Sequence, residues 1–450
     1  MTSGYPSTPS LFPGETVLFH VSTDAPQIRI ELYRQGATLA LQGRSPWFPG
    51  RRSPDLAPWE DWSRSFHAHA FPIPEGFPPG VYIAMFIEGD GQGNDLKTQR
   101  IDRGAADGRD SKALFVLRNP KPESGARLLY KLPFFTYCAY NAAGTPSGSL
   151  YTGPRRKVTF HRPGNGTGAT PWDADVVDVY DLASPRQTFA HWDEKLVRWL
   201  EERGYPVDYA TDLDVHRNEG DFLSSYRLLL SVGHDEYWSA PMRANVESFI
   251  ARGGNVAFFS GNVCWWRVTV EDGGTAISVD KEVHTGHTVA FDHWYRTLPE
   301  NALTGVSYRN AGGQWNGRRP SGGGYTVRRS SSWVLGGTGL ADGAVFGEAM
   351  AVVGYECDGA AFTLGRSGVP EPTGEDGTPL DFVIVATASV AGWEGAEIGA
   401  LAAATMGYYE HGGLVFTAAT TDWPRALAQG DSTVAQITRN VLDRLLAHRG

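Results

Sequence analysis

The most restrictive feature of the sequence is the largely apolar run Tyr226–Val232, which ends abruptly at Gly233-His-Asp-Glu-Tyr-Trp238. The run lacks the alternation of a half-buried strand, so both its faces need cover, as in the middle of a parallel sheet. A helix is expected next, with Ser239 as its cap, Pro241 in its first turn, Val246, Phe249 and Ile250 on its buried stripe, and Gly253 past its end. Asn255–Ser260 then reads as the following strand, running out into Gly261-Asn262. A strand, a helix and a strand in that order predict a βαβ unit.

The same grammar extends over most of the 450 residues. Leu128–Tyr137 is a candidate first strand, Trp192, Leu196, Trp199 and Leu200 mark one face of a helix ending at Gly204, and Pro206–Ala210 is a short strand running into Thr211-Asp-Leu-Asp. Ala349–Tyr355, Phe382–Ala386 and Gly413–Ala418 resume the sheet pattern, and a last helix carries Val434, Ile437, Val441 and Leu445. Residues 271–346 are rich in Gly, Arg and Ser and read as an irregular insertion. Upstream the pattern differs. Thr16–Ser22, Ile28–Tyr33, Val81–Ile87 and Ala113–Leu117 are strand-like runs separated by turn signals, which predicts a β-sandwich. The expected organisation is therefore a sandwich over residues 1–122, with Asn119–Pro122 as linker. An α/β domain over 123–450 would follow, holding a mostly parallel sheet with flanking helices.

Composition narrows the partners. A net charge of -10 repels phosphate backbones and anionic membrane surfaces, so nucleic acid is not expected. No apolar stretch approaches the length of a membrane helix, and Met1–Gly14 has neither the basic nor the apolar region of a secretory signal, so the expected location is cytoplasmic. Cys138, Cys264 and Cys357 are too few and too scattered for a disulfide framework and are expected as reduced thiols. The Gly-x-Cys-x-Gly elbow of a cysteine amidotransferase is absent.

In an open parallel sheet a site forms beyond the carboxyl ends of the strands. Here those ends carry Tyr137–Asn141, Asp212 with Asp214, His234-Asp-Glu236, and Asn262. Alternation along an extended segment turns His234 and Glu236 to one side and Asp235 to the other. An imidazole beside a carboxylate can act as a general base or hold a metal. Asp235 and Asp214 also suit helix caps, and Tyr237-Trp238 suits a core. His284, His287 and His293 form a second imidazole group without carboxylate or cysteine partners of clear spacing.

Thr136-Tyr-Cys-Ala-Tyr-Asn141, Ser149-Leu-Tyr151, Arg162-Pro163, Trp199-Leu-Glu201, Gly233–Trp238, Ser260-Gly-Asn262, Gly354-Tyr-Glu-Cys-Asp358 and Thr420–Trp423, in that order, resemble the large (β) subunit family of N,N-dimethylformamidase. The resemblance covers about residues 125–450. It implies a class I glutamine-amidotransferase-like, flavodoxin-like α/β domain. It also implies a mononuclear ferric iron held by two tyrosinates and a glutamate, mapping onto Tyr140, Tyr151 and Glu236, with Tyr180 as the alternative to Tyr151. Hard anionic oxygen donors suit ferric iron. By the same resemblance His234 and Glu356 form an acid/base pair, Asn262 orients a substrate carbonyl or oxyanion, Asp235 supports its neighbours, and Asn141 contacts substrate. The implied activity is metal-assisted hydrolysis of the C–N bond of a small, formamide-type amide, with a small partner subunit or self-association.

Two other classes compete. Fourteen tryptophans with the acidic pairs Asp235/Glu236 or Asp212/Asp214 would suit a carbohydrate-active hydrolase. A sandwich joined to an α/β module would also suit a non-catalytic assembly protein.

Overall fold

A computed structural model describes residues 2–96, 111–122, 127–143, 148–150, 156–167, 178, 180–181, 184–279, 281–284, 287–290, 292–313, 323–366, 368–390 and 402–449, with backbone alone at 281–284 and 287–290. Strands far outnumber helices, and the chain divides into two units. The first comprises Met1–Ser124, Phe134–Asp214 and Val268–Phe291; the second comprises Gly125–Pro133, Val215–Arg267 and Asp292–Gly450.

The first unit opens with strands β1 (Ser3–Pro6), β2 (Ser10–Leu11), β3 (Thr16–Ser22), β4 (Gln27–Gln35), β5 (Leu39–Arg44), β6 (Phe48–Pro49), β7 (His67–Pro72), β8 (Gly80–Gly89) and β9 (Lys112–Leu117). One sheet has the order β1-β3-β7, and the other β2-β9-β8-β4-β5 with β6 beside β4. Val17, Phe19, Val21 and Phe71 from the first sheet share one buried core with Ile28, Ile30, Leu32, Tyr82, Phe86 and Phe115 from the second. That shared core makes the pair a β-sandwich, as the alternating runs predict. Phe19 meets Phe71, Phe86 and Phe115 edge-on at centroid distances of 5.7–6.5 Å. Helices α1 (Phe134–Tyr140) and α2 (Asp193–Glu202) belong to the same unit, and Leu196, Trp199 and Leu200 lie on the buried face of α2.

In the second unit, β10 (Leu128–Leu132), β11 (Leu228–His234) and β12 (Asn255–Gly261) pair in parallel, with helix α3 (Ala240–Ala251) between the last two. Every residue of β11 and β12 is buried, which is why the run carries no alternation. The Ser239 hydroxyl accepts the Met242 N–H and caps α3, and Gly253 follows at φ 89°. Further strands of this unit include β13 (Ser307–Gly313), β14 (Tyr325–Val327), β15 (Val345–Phe346), β16 (Glu356–Gly359), β17 (Val383–Ser389), β18 (Ala403–His411) and β19 (Gly413–Thr417). β19 joins β12 in parallel, and beyond it β18, β17, β14 and β15 continue the sheet antiparallel. β13 and β16 form a separate antiparallel pair. The last helix, α4 (Ser432–Ala447), buries Val434, Ile437, Val441 and Leu445.

The expected α/β fold, with a mostly parallel flavodoxin-like sheet, is therefore corrected: the chain is mostly β, in several sheets of mixed direction. Parallel pairing stops at β19, because Gly412 at φ 80° closes a hairpin between β18 and β19. A strand buried on both faces reads alike whether its neighbour runs with it or against it. Two local expectations also change. The stretch after Leu132 turns helical as α1 and does not extend the strand, and Ala349–Tyr355 is irregular, the strand beginning only at Glu356.

Candidate active site

β11 ends at a buried polar cluster within the second unit. His234 Nε2 lies 2.6 Å from Glu356 Oε2 and 3.5 Å from Glu236 Oε2, and all three side chains are nearly inaccessible. β16 brings Glu356 there. Its position is set by its own N–H donating to Thr421 Oγ1 and by its carbonyl accepting the Thr421 N–H. Gly261 makes the approach possible, since a Cβ there would stand 2.6 Å from the Glu356 carbonyl oxygen and 2.7 Å from the Thr421 nitrogen. With His234 and Glu236 on one side, Asp235 points to the other. Lys131 Nζ sits 2.9 and 2.8 Å from its two carboxylate oxygens, the Ser231 hydroxyl donates to Oδ2 at 2.6 Å, and Ser231 also meets Ser260 at 2.9 Å. Lys131 and Asp235 are both fully buried, and the ammonium lies 4.9 Å from the centre of a Trp238 ring. Lys131, a lone cation inside the apolar strand β10, carries no catalytic signal in the sequence; only its burial reveals its role.

Asn262 follows β12 with φ 51°, a left-handed conformation uncommon outside glycine. Asp358 holds it there: its carboxylate accepts the Asn262 N–H at 2.9 Å and the Val263 N–H at 3.2 Å. Burial pushes the Asp358 carboxyl up to about 8, partly offset by those two donors. The Cys264 N–H donates to the Asp235 carbonyl, and the Trp265 and Trp266 N–H groups to that of Glu236. The backbone after β12 is thus tied to the backbone after β11. Asn262 Nδ2 donates to Glu356 Oε2 at 3.3 Å and lies 3.3 Å from His234 Nε2. Its Oδ1 is buried and meets no donor among the described residues. Leaving such an acceptor unmatched costs about 1–3 kcal/mol, so the arrangement calls for an explanation.

Tyr140 and Asn141 belong to the first unit, at the end of α1. The fully buried Arg162 donates to the carbonyls of Cys138, Asn141, Ala143 and Gly148, and so satisfies the end of the helix that carries Tyr140. Tyr140 itself is buried. Asn141 uses its amide within the loop: Nδ2 donates to the Pro163 carbonyl and to Asn165 Oδ1, and Oδ1 accepts the Ala143 N–H. Tyr151 lies outside the described residues. Tyr180 is partly exposed, and its N–H donates to Asp178 Oδ1.

Several sequence-marked carboxylates have structural occupations. Asp212 accepts the Phe135 N–H; Asp214 accepts Thr211, Ser10 and Arg118 donors. Asp235 and Glu236 face apart, and neither pair offers two carboxylates across a sugar bond. His293 packs between Trp265 and Trp266 at 4.4 and 4.2 Å, while the side chains of His284 and His287 lie outside the described residues. The three cysteines are buried free thiols. Among the described residues no helix is long and apolar enough to cross a membrane.

The family described as "N,N-dimethylformamidase beta subunit-like, C-terminal" matches residues 39–436. The chain belongs to that family. The N,N-dimethylformamidase beta subunit of Paracoccus aminophilus is 24% identical over 417 residues, covering 79% of this chain and 53% of that protein. The protein of the same name from an Alcaligenes species is 24% identical over 148 residues, 33% of this chain and 18% of its own length. The chain thus spans about half the length of the Paracoccus protein.

Proposed function

We propose that the chain is a hydrolase that cleaves the C–N bond of a small, formamide-type amide with the help of a bound ferric ion. The observation that carries the reading is the buried contact of His234 with Glu356, beside Glu236, in a chain of this family. Glu236 and Tyr140, with Tyr151 or Tyr180, would hold the iron; as hard anionic oxygen donors they suit it. When bound, the ion supplies a Lewis acid that polarises the amide carbonyl and acidifies water. The chain's own residues then manage protons and orientation. Glu356 Oε2 takes the proton of the attacking water, and His234 Nε2, in contact with it, passes a proton to the departing amine nitrogen. The products are a carboxylic acid and an amine. Asn262 holds the two side chains in register through Nδ2. Asp235, locked by Lys131, keeps its neighbours turned to the opposite side.

The test combines metal analysis with turnover. The expected result is about one iron per chain, a visible tyrosinate-to-iron band abolished in Tyr140→Phe, and amine release lost in Glu236→Gln. A colourless, iron-free protein with full activity would refute the iron; absence of amine release from any small amide by the iron-loaded protein would refute the hydrolase.

A further inference from the structure

Strand β7 carries two histidines separated by Ala68, so alternation sets the imidazoles of His67 and His69 on one side of the sheet. It is the side that faces the sandwich core: in the pairing of β3 with β7, His69 stands opposite Phe19 and His67 opposite Val21. His69 is buried at the rim of that core, and His67, at the start of the strand, is exposed. The two rings lie 4.9 Å apart and nearly perpendicular. Phe48, on β6 of the other sheet, packs on His69 at 4.6 Å and restrains that ring. Neither imidazole has a hydrogen-bond or ion-pair partner among the described residues. Burial, with His67 and His20 pushing the same way, holds His69 at about 4, so its ring is neutral at pH 7 and keeps a lone pair to give. His20 itself stands opposite Ala68, on the other face of the sheet, and is not part of the pair.

We propose that His67 and His69 chelate a divalent ion of the zinc, copper or nickel class at the open edge of the sandwich, with one ring nitrogen from each. Imidazole suits these metals, whereas magnesium and calcium call for oxygen donors. β7 pairs with β3 alone, so an ion can approach from its free edge. No third His, Cys, Asp or Glu among the described residues completes a set of three with them, so water fills the remaining coordination positions and the ion is exchangeable. The pair shares no residue with the proposed iron centre and does not depend on the amide-hydrolase reading. Chelation joins the exposed start of β7 to its buried stretch, and an ion bound only by the folded sandwich stabilises it by mass action.

The experiment strips the full chain with a chelator and titrates it with zinc(II) by calorimetry and with copper(II) by electron paramagnetic resonance, in the wild type, His67→Ala and His69→Gln. His67 is exposed, so its truncation leaves the core intact and decides the matter even where His69→Gln folds poorly. The expected result is one zinc site in the wild type that weakens by at least about ten-fold in each variant. The wild-type copper spectrum shows splitting from two nitrogens, which His67→Ala loses, and zinc raises the melting temperature of the wild type but not of His67→Ala. Metal taken up at the proposed iron centre appears alike in all three proteins and cancels from the comparison. Zinc affinity and stoichiometry unchanged in His67→Ala, to within about two-fold, overturn the proposal. So does a two-nitrogen copper spectrum that survives in that variant.

Discussion

Replacing Lys131 with methionine tests the support beneath the candidate site. The side chains have similar length, so the change deletes a charge from a filled space and opens no large cavity. Both partners are fully buried, with Nζ 2.8 and 2.9 Å from the two Asp235 oxygens. At an effective dielectric constant of about 20, two unit charges 2.8 Å apart attract by roughly 6 kcal/mol, from which the desolvation of both must be subtracted. The single variant loses the attraction but keeps the buried carboxylate, whose other side-chain contact is the Ser231 hydroxyl at 2.6 Å. Breaking such a pair from one side costs about 3–5 kcal/mol. For a cooperative unit of about 200 residues, at roughly 2–4 °C per kcal/mol, the melting transition falls by about 6–20 °C. Lys131→Met combined with Asp235→Leu removes both charges and recovers most of the loss, since apolar replacement of a complete buried pair is often neutral. The assay is calorimetry of the four proteins in a double-mutant cycle. A loss below about 1 kcal/mol in Lys131→Met, or additivity of the two changes, would show that Lys131 does not neutralise Asp235 and refute the reasoning.

In the sandwich, burial holds His69 at about 4, with His67 and His20 pushing the same way, so the imidazole is neutral when folded and binds a proton more readily when unfolded. Stability is then complete above about pH 6.5 and declines as pH falls from there toward 4; acid unfolding monitored by fluorescence in His69→Phe shows a shallower decline. Phe19→Ala, at the centre of the sandwich core, costs about 3–5 kcal/mol in thermal unfolding, measurable as loss of the corresponding calorimetric transition at lower temperature. Arg162→Met leaves four carbonyls without their guanidinium donors, so the expected outcome is faster hydrogen exchange at Cys138–Ala143 and a weaker tyrosinate band in iron-loaded protein.

What could be read from sequence follows from the range of the interactions involved. α3 was legible because its signals are local: the Ser239 cap, Pro241, and Gly253 past the end all lie within one helix length. The sandwich was legible because alternation is a property of each strand alone. The direction of β17 and β19 was not, nor was the presence of β18 between them, because burial on both faces erases alternation and the partner strand is chosen by the turn at Gly412. At the site, the opposite facing of His234–Glu236 and Asp235 follows from strand geometry and could be derived. Lys131, Ser231 and Asp358 could not, since each acts on residues 4 to 104 positions away through contacts that depend on strand neighbours.

The two halves of the His-Asp-Glu motif are coupled by this geometry. A strand end can present His234 and Glu236 together only if the residue between them is accommodated behind, and here that residue is a buried carboxylate met by Lys131 and the Ser231 hydroxyl. An alanine at 235 would fill the space without any need for Lys131. A carboxylate instead commits β10 to carry a cation at one register position, Lys131 standing beside Ser231 in the parallel pairing of β10 with β11. The pair therefore specifies the register of those two strands: a slip by one residue would put Lys131 on the opposite face and leave both charges buried alone. A buried ion pair is weak evidence for added stability, but as a register device it has a clear physical role. Replacing both residues by apolar ones is then expected to preserve the melting temperature while loosening the alignment of β11, and with it the 2.6 Å contact between His234 and Glu356.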